Sequence, residues 1–152
     1  MEKQTHDAFA LMGIAVRTCN TDGTAAIAIP ALWERFRSEN LLSKISNVQS
    51  TDIYSVYTEY EGDYTQPYTT LIGYRVANLD QVPEGLTGII IPAAAYIKRV
   101  VTGNLLKGAV YEAWLDIWQS DLPRAYTADY EVYGPEAQNP ENARVDIYLS
   151  VK

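Results

Sequence analysis

Two stretches of this chain follow the same plan, and that duplication restricts the fold more tightly than any composition figure. Residues 8–17 (AFALMGIAVR) read as a strand, and TCNTDGT at 18–24 is a turn-rich break. Pro30 suits a first helical turn, and Leu32, Trp33, Phe36 and then Leu41 recur near the helical period. That spacing predicts a helix over 29–42, with Trp33 in the core. Residues 51–60 (TDIYSVYTEY) and 68–76 (YTTLIGYRV) are rich in β-formers and flank the polar loop EGDYTQP, as in a hairpin. A connector with one Pro and two Gly follows at 78–88, and then the order returns. Strand material over 88–101 is broken at Pro92, a helix is predicted over 105–119, and strands are predicted at 129–133 and 144–151. Each half, about 8–77 and 88–151, therefore reads βαββ within one domain spanning 1–152.

In the second helix Leu106, Val110, Ala113, Trp114, Ile117 and Trp118 recur at spacings of three and four and share one broad face. Trp114 and Trp118 should then stack one turn apart. The segments IPALWERF and YEAWLDIW stand at matching places in the two halves, each followed by a Tyr-rich strand. Two copies of one unit packed about a pseudo-dyad leave a seam, and a seam is a natural place for a pocket.

Charge narrows the partners. Nineteen acidic against twelve basic side chains give a formal charge of −7, which repels phosphate backbones and attracts cations. With no basic cluster, helix-turn-helix pattern or zinc-finger spacing, direct nucleic-acid binding is not expected. Cys19, the single cysteine, rules out an intramolecular disulfide and suits a reducing cytoplasm. No apolar run reaches about 18 residues and no basic leader opens the chain, so neither a membrane span nor secretion is expected. His6 is the only histidine and falls in a stretch expected to fray, which leaves a His-based catalytic triad without a rigid member. No metal-ligand spacing, phosphate loop or dinucleotide fingerprint occurs, so no cofactor is expected.

Twelve tyrosines and three tryptophans stand against two phenylalanines. Rings with a polar tip build sheets, and they also make walls that stack on ligands. The segment ADYEVY at 128–133 reads as a strand with Glu131 and Tyr133 on one face and Tyr130 and Val132 on the other. If Glu131 points outward it is one more solvated acid on an antiparallel strand. If it points inward, its carboxylate must be hydrogen-bonded, neutralised by a raised pKa, or paired with a cation that arrives as ligand, which aromatic faces would help to hold.

The segments LMGIAVRT, IPALWERF, YSVYTEYEGDYTQPYTTLIGYRV, IPAAAYIKRV, AWLDIWQSDLPRAYTADYEVY and VDIYLSVK, in that order, resemble the GyrI-like effector-binding proteins. Within that family the resemblance is greatest to the integron-associated members, which bind cationic drugs. It covers nearly the whole chain. It implies an α+β fold of duplicated βαββ units with pseudo-two-fold symmetry, an antiparallel sheet, two main helices and a ligand cleft between the halves. It turns Glu131 into the cleft and places Tyr57 as the counterpart of Tyr133, with Ser55 opposite Glu131, so that only one side of the cleft is acidic. Trp114, Trp118, Tyr148 and, more distantly, Tyr96 become candidate aromatic walls. The expected ligands are lipophilic cationic small molecules. Relatives fused to DNA-binding domains sense drugs in transcription activators, whereas this chain is expected to begin at the first strand and to act alone or with a separate regulator. Other relatives modulate gyrase or resemble hydrolases of strained-ring toxins, which leaves two further readings: an interaction protein, or an enzyme using Glu131 and a tyrosine.

Overall fold

The computed structural model describes residues 2–152. Its elements run β1 Lys3–His6, β2 Phe9–Thr18, α1 Ala25–Glu39, β3 Val48–Thr58, β4 Tyr68–Val76, β5 Thr87–Ile91, β6 Ala94–Gly103, α2 Ala109–Trp118, β7 Ala128–Tyr133 and β8 Ala143–Val151. The two predicted βαββ units are present, as β2-α1-β3-β4 and β6-α2-β7-β8. All eight strands join one antiparallel sheet in the order β1-β6-β8-β7-β3-β4-β2-β5. The β3–β7 pair lies at its centre, and Ser55 faces Glu131 there in register, with Tyr57 two residues beyond the first and Tyr133 two beyond the second. The pseudo-dyad passes between them.

The outer strands force the sheet to curl. β1 pairs with β6 at one edge, yet Asp7 and Ala8 alone separate it from β2, which lies six places away in the order. Six strand spacings on a flat sheet would be about 29 Å, whereas that link spans at most about 11 Å. β5 repeats the swap at the other edge: it pairs with β2, while Pro92 and Ala93 tie it to β6. Inside the curl, side chains from every strand meet in one cluster, including Phe9, Val56, Leu71, Ile91, Tyr96, Tyr130 and Tyr148, with the His6 ring stacked on Tyr96. On the outside, packing divides into two cores, one per repeat. α1 lays Leu32 and Phe36 on Met12, Ile14 and Ile72, and α2 lays Ala113 and Ile117 on Val101, Ile147 and Leu149.

Three local expectations need correction. The first helix begins at Ala25, so Pro30 lies inside it instead of in its first turn. An Asp22–Thr24 turn and the Ala25 amide bonded to the Cys19 carbonyl start the helix early. The second helix is interrupted: a 3₁₀ turn over Leu105–Lys107 ends at Gly108, whose φ of 85° breaks the helical phase. Leu106, expected on the apolar face, is consequently 72% exposed. His6 is held in β1 opposite Ala94, with Nδ1 2.7 Å from the Tyr130 hydroxyl. Four paired residues anchor a segment that short-range signals could not identify as a strand.

Candidate ligand site

Between the two outer cores, over the central β3–β7 pair, lies a cavity of about 600 Å³. α1 contributes Ala25, Ala26, Ile29, Pro30 and Trp33 to one wall, and α2 contributes Val110, Tyr111, Trp114 and Trp118 to the other. The sheet supplies the floor with Tyr57, Glu131 and Tyr133, and the loop between β3 and β4 closes one side with Tyr64. Helical spacing puts Trp114 and Trp118 on adjacent turns, strand alternation keeps Glu131 on one face with Tyr133, and the β3–β7 register adds Tyr57 to that face, which the helices cover.

Glu131 points into this cavity and is 1% exposed. Its Oε2 accepts the Trp114 indole N–H at 2.7 Å and the Tyr57 hydroxyl at 2.9 Å, and its Oε1 accepts the Tyr133 hydroxyl at 2.5 Å. All three donors are neutral. Among the described residues no Lys or Arg nitrogen lies within 4.0 Å of this carboxylate. Desolvation raises the Glu131 pKa, and the hydrogen bonds from Tyr133, Trp114 and Tyr57 draw it part of the way back. Tyr57 and Tyr133 are pushed well above the ordinary phenol range, first by burial and then by the Glu131 charge, so both stay protonated as donors. An ionised carboxylate here has its lone pairs served and its charge unpaired.

The rings around it are fixed by one another. Trp114 meets Tyr57 edge-on at 5.3 Å, Trp33 meets Tyr133 edge-on at 5.0 Å, and Trp118 stacks on Tyr64 at 5.4 Å with planes 5° apart. Trp118 therefore stacks across to the β3–β4 loop instead of on Trp114. Five of the residues expected in the site, Glu131, Tyr57, Trp114, Trp118 and Tyr133, do line this cavity. Tyr148 and Tyr96 do not. Tyr148 is paired in register with Tyr130, so it shares the face opposite Glu131, and Tyr96 is buried in the same inner cluster. Strand alternation sets that outcome once the register is known, and the register is a tertiary fact.

Trp33, assigned above to the core, is half-buried and lines the cavity while also packing on the α1 core. With Leu32 and Phe36 seated on one core as Ala113 and Ile117 are on the other, Trp33 is the first repeat's structural counterpart of Trp114, one place off the frame in which IPALWERF and YEAWLDIW match. Tyr60, Tyr64, Tyr68 and Arg124 also line the cavity, and nothing in their spacing marked them. Among the described residues no cluster of three metal-ligating side chains occurs, and no helix is long and apolar enough to cross a membrane.

The arrangement has relatives. Residues 4–151 match the family model of the integron-associated effector binding protein, and the chain belongs to that family. The Bacillus subtilis (strain 168) protein YobU, whose name proposes a role as a transcriptional regulator, is 30% identical over 144 residues, covering 92% of this chain and 90% of its own. An integron cassette protein from the mobile metagenome of Vibrio cholerae superposes with a TM-score of 0.77 at 24% identity, over 99% of this chain and 95% of that one. SAV2435, solved with tetraphenylphosphonium bound, superposes with a TM-score of 0.78 at 16% identity, over 99% and 93%.

Proposed function

We propose that this member of the integron-associated effector-binding family captures lipophilic monocations between its aromatic walls and the Glu131 carboxylate, as a binding module and not as an enzyme. One observation carries the reading: a fully buried carboxylate, hydrogen-bonded three times by neutral donors, has no counter-ion among the described residues and forms part of the floor of an aromatic cavity of about 600 Å³. Isolating a charge from water is costly unless it is paired. A ligand cation supplies the missing pair, and ring faces add about 0.5 to 2 kcal/mol each. The lipophilic cation in SAV2435, a protein of the same fold, supports this ligand class. The role in YobU's name supports a module that reports its ligand to transcription, alone or through a separate regulator.

Trp33, Trp114 and Trp118 line the cavity, so their fluorescence reports occupancy. The test is a titration with tetraphenylphosphonium beside neutral triphenylphosphine oxide, on the native protein and on Glu131→Gln. Saturable quenching that favours the cation, falling about tenfold or more in Glu131→Gln while the neutral compound is unaffected, is the expected result. Equal affinity of both proteins for the cation would refute the role of Glu131, and formation of a product would replace binding with catalysis.

A further inference from the structure

A second carboxylate lies two residues before Glu131 on the same face of β7, about 7 Å away along the strand. Asp129 is fully buried and, like Glu131, accepts three neutral donors: the Tyr60 hydroxyl at 2.7 Å, the Ser150 amide at 2.8 Å and the Ser150 hydroxyl at 3.1 Å. The two acids differ in one respect. The Arg124 guanidinium sits on Asp129, with Nη2 2.6 Å from Oδ2. Arg124 also lines the cavity.

The manner in which Arg124 is held is informative. Its guanidinium carbon lies 4.4 Å from the Tyr126 ring centre and 5.7 Å from that of Trp114. Its Nε and Nη1, both buried, make no hydrogen bond. One carboxylate and two ring faces hold it, the same chemistry that the cavity offers a ligand cation at Glu131. Trp114 serves both seats, with its N–H on Glu131 and its ring toward Arg124. Tyr126, which completes the cage, has a φ of 55°, a left-handed backbone that aromatic residues rarely adopt and that tends to persist at functional sites.

We propose that Arg124 is the resident occupant of a second cation seat, and that by filling the seat it restricts the cavity to singly charged ligands. The inference deepens the binding reading at Glu131 and rests on it for the ligand. A dication reaching for both acids would bring its second charge against the guanidinium in a site with little water to screen it. Without the Arg124 side chain, Asp129, its three donors, Tyr126 and Trp114 would form an open seat beside the first.

Two planar probes of nearly the same shape separate the cases: N-methyl-4-phenylpyridinium, with one charge, and N,N′-dimethyl-4,4′-bipyridinium, with two. The native protein should favour the monocation by about tenfold or more, and Arg124→Ala should bring the ratio within about threefold or invert it. The seat itself is tested by chemical rescue. Millimolar N-methylguanidinium should raise the Tm of Arg124→Ala by several degrees, while leaving the native protein and Arg124→Ala/Asp129→Asn unmoved, and N-methylurea should rescue nothing. If Arg124→Ala does not fold unaided, it should refold with N-methylguanidinium and not with N-methylurea. Failure of both rescues, or a folded Arg124→Ala with the native selectivity, would overturn the proposal. Rescue at Asp129 does not require Glu131, so a native protein that binds neither probe would refute the Glu131 reading while the rescue still judged the second seat.

Discussion

At Glu131 burial and hydrogen bonding act in opposite directions, and burial prevails: the carboxyl titrates above its ordinary value. The sign then follows for both stability and binding. Between the unfolded and the folded pKa the native state holds the proton more tightly than the unfolded chain. As pH rises through that interval, Glu131 therefore withdraws stability, and above the folded pKa the loss is complete. Only the ionised form attracts a cation, so ligand affinity should climb over the same window, with proton release on binding. Calorimetric titration in buffers of different ionisation enthalpy, from about pH 4.5 upward, checks this. Glu131→Gln should show neither the pH-dependent gain in affinity nor the proton release. Its stability at neutral pH should match or exceed that of the native protein, because an unpaired buried charge has been removed.

Among the elements, the pairing of β2 with β4 leaves no room for a side chain where two glycines meet. Gly13 and Gly73 face each other in register, and a Cβ on Gly13 would lie 2.1 Å from the Ile72 carbonyl oxygen. The obstacle is backbone that cannot rotate away, so Gly13→Ala must part the two strands. A loss of about 2 kcal/mol or more is expected in urea unfolding. Because β4 pairs with β3, which bears Tyr57, cation affinity should fall in the same variant. Leu106→Ala provides the contrast: with that side chain on the surface, the change should stay within about 0.5 kcal/mol.

At the scale of the molecule, the swapped edge strands turn two βαββ units into one curl. β1 covers the edge of β6, and His6 closes the inner aromatic cluster through Tyr130, Tyr96 and Tyr148. Deleting residues 1–7 should expose that edge and lower the urea midpoint, with a loss of about 2 kcal/mol from four ladder positions and one ring stack. Glu131 stands on the opposite face, so cation affinity at temperatures where the shortened chain is folded should change by less than about threefold. A larger fall would show that the inner cluster holds the site in shape.

The duplication, the two helices, most strands and the shared face of Glu131 and Tyr133 are legible in the chain, because they depend on periodicity and on neighbours a few residues apart. The 68–76 strand and the break at Pro92 could be read directly from β-formers and turn residues. The family resemblance supplied the cleft and the direction of Glu131 into it, which alternation alone left open. Only tertiary structure excluded Tyr96 and Tyr148 from the cavity, since their face depends on the register with β7 and β8. It likewise paired β1 with β6, brought Trp33 and the Tyr64 loop to the cavity, and set Arg124 between Tyr126 and Trp114 on Asp129. Those contacts join residues distant in the chain, and short-range spacing carries no record of which distant surfaces the curl of the sheet will bring together.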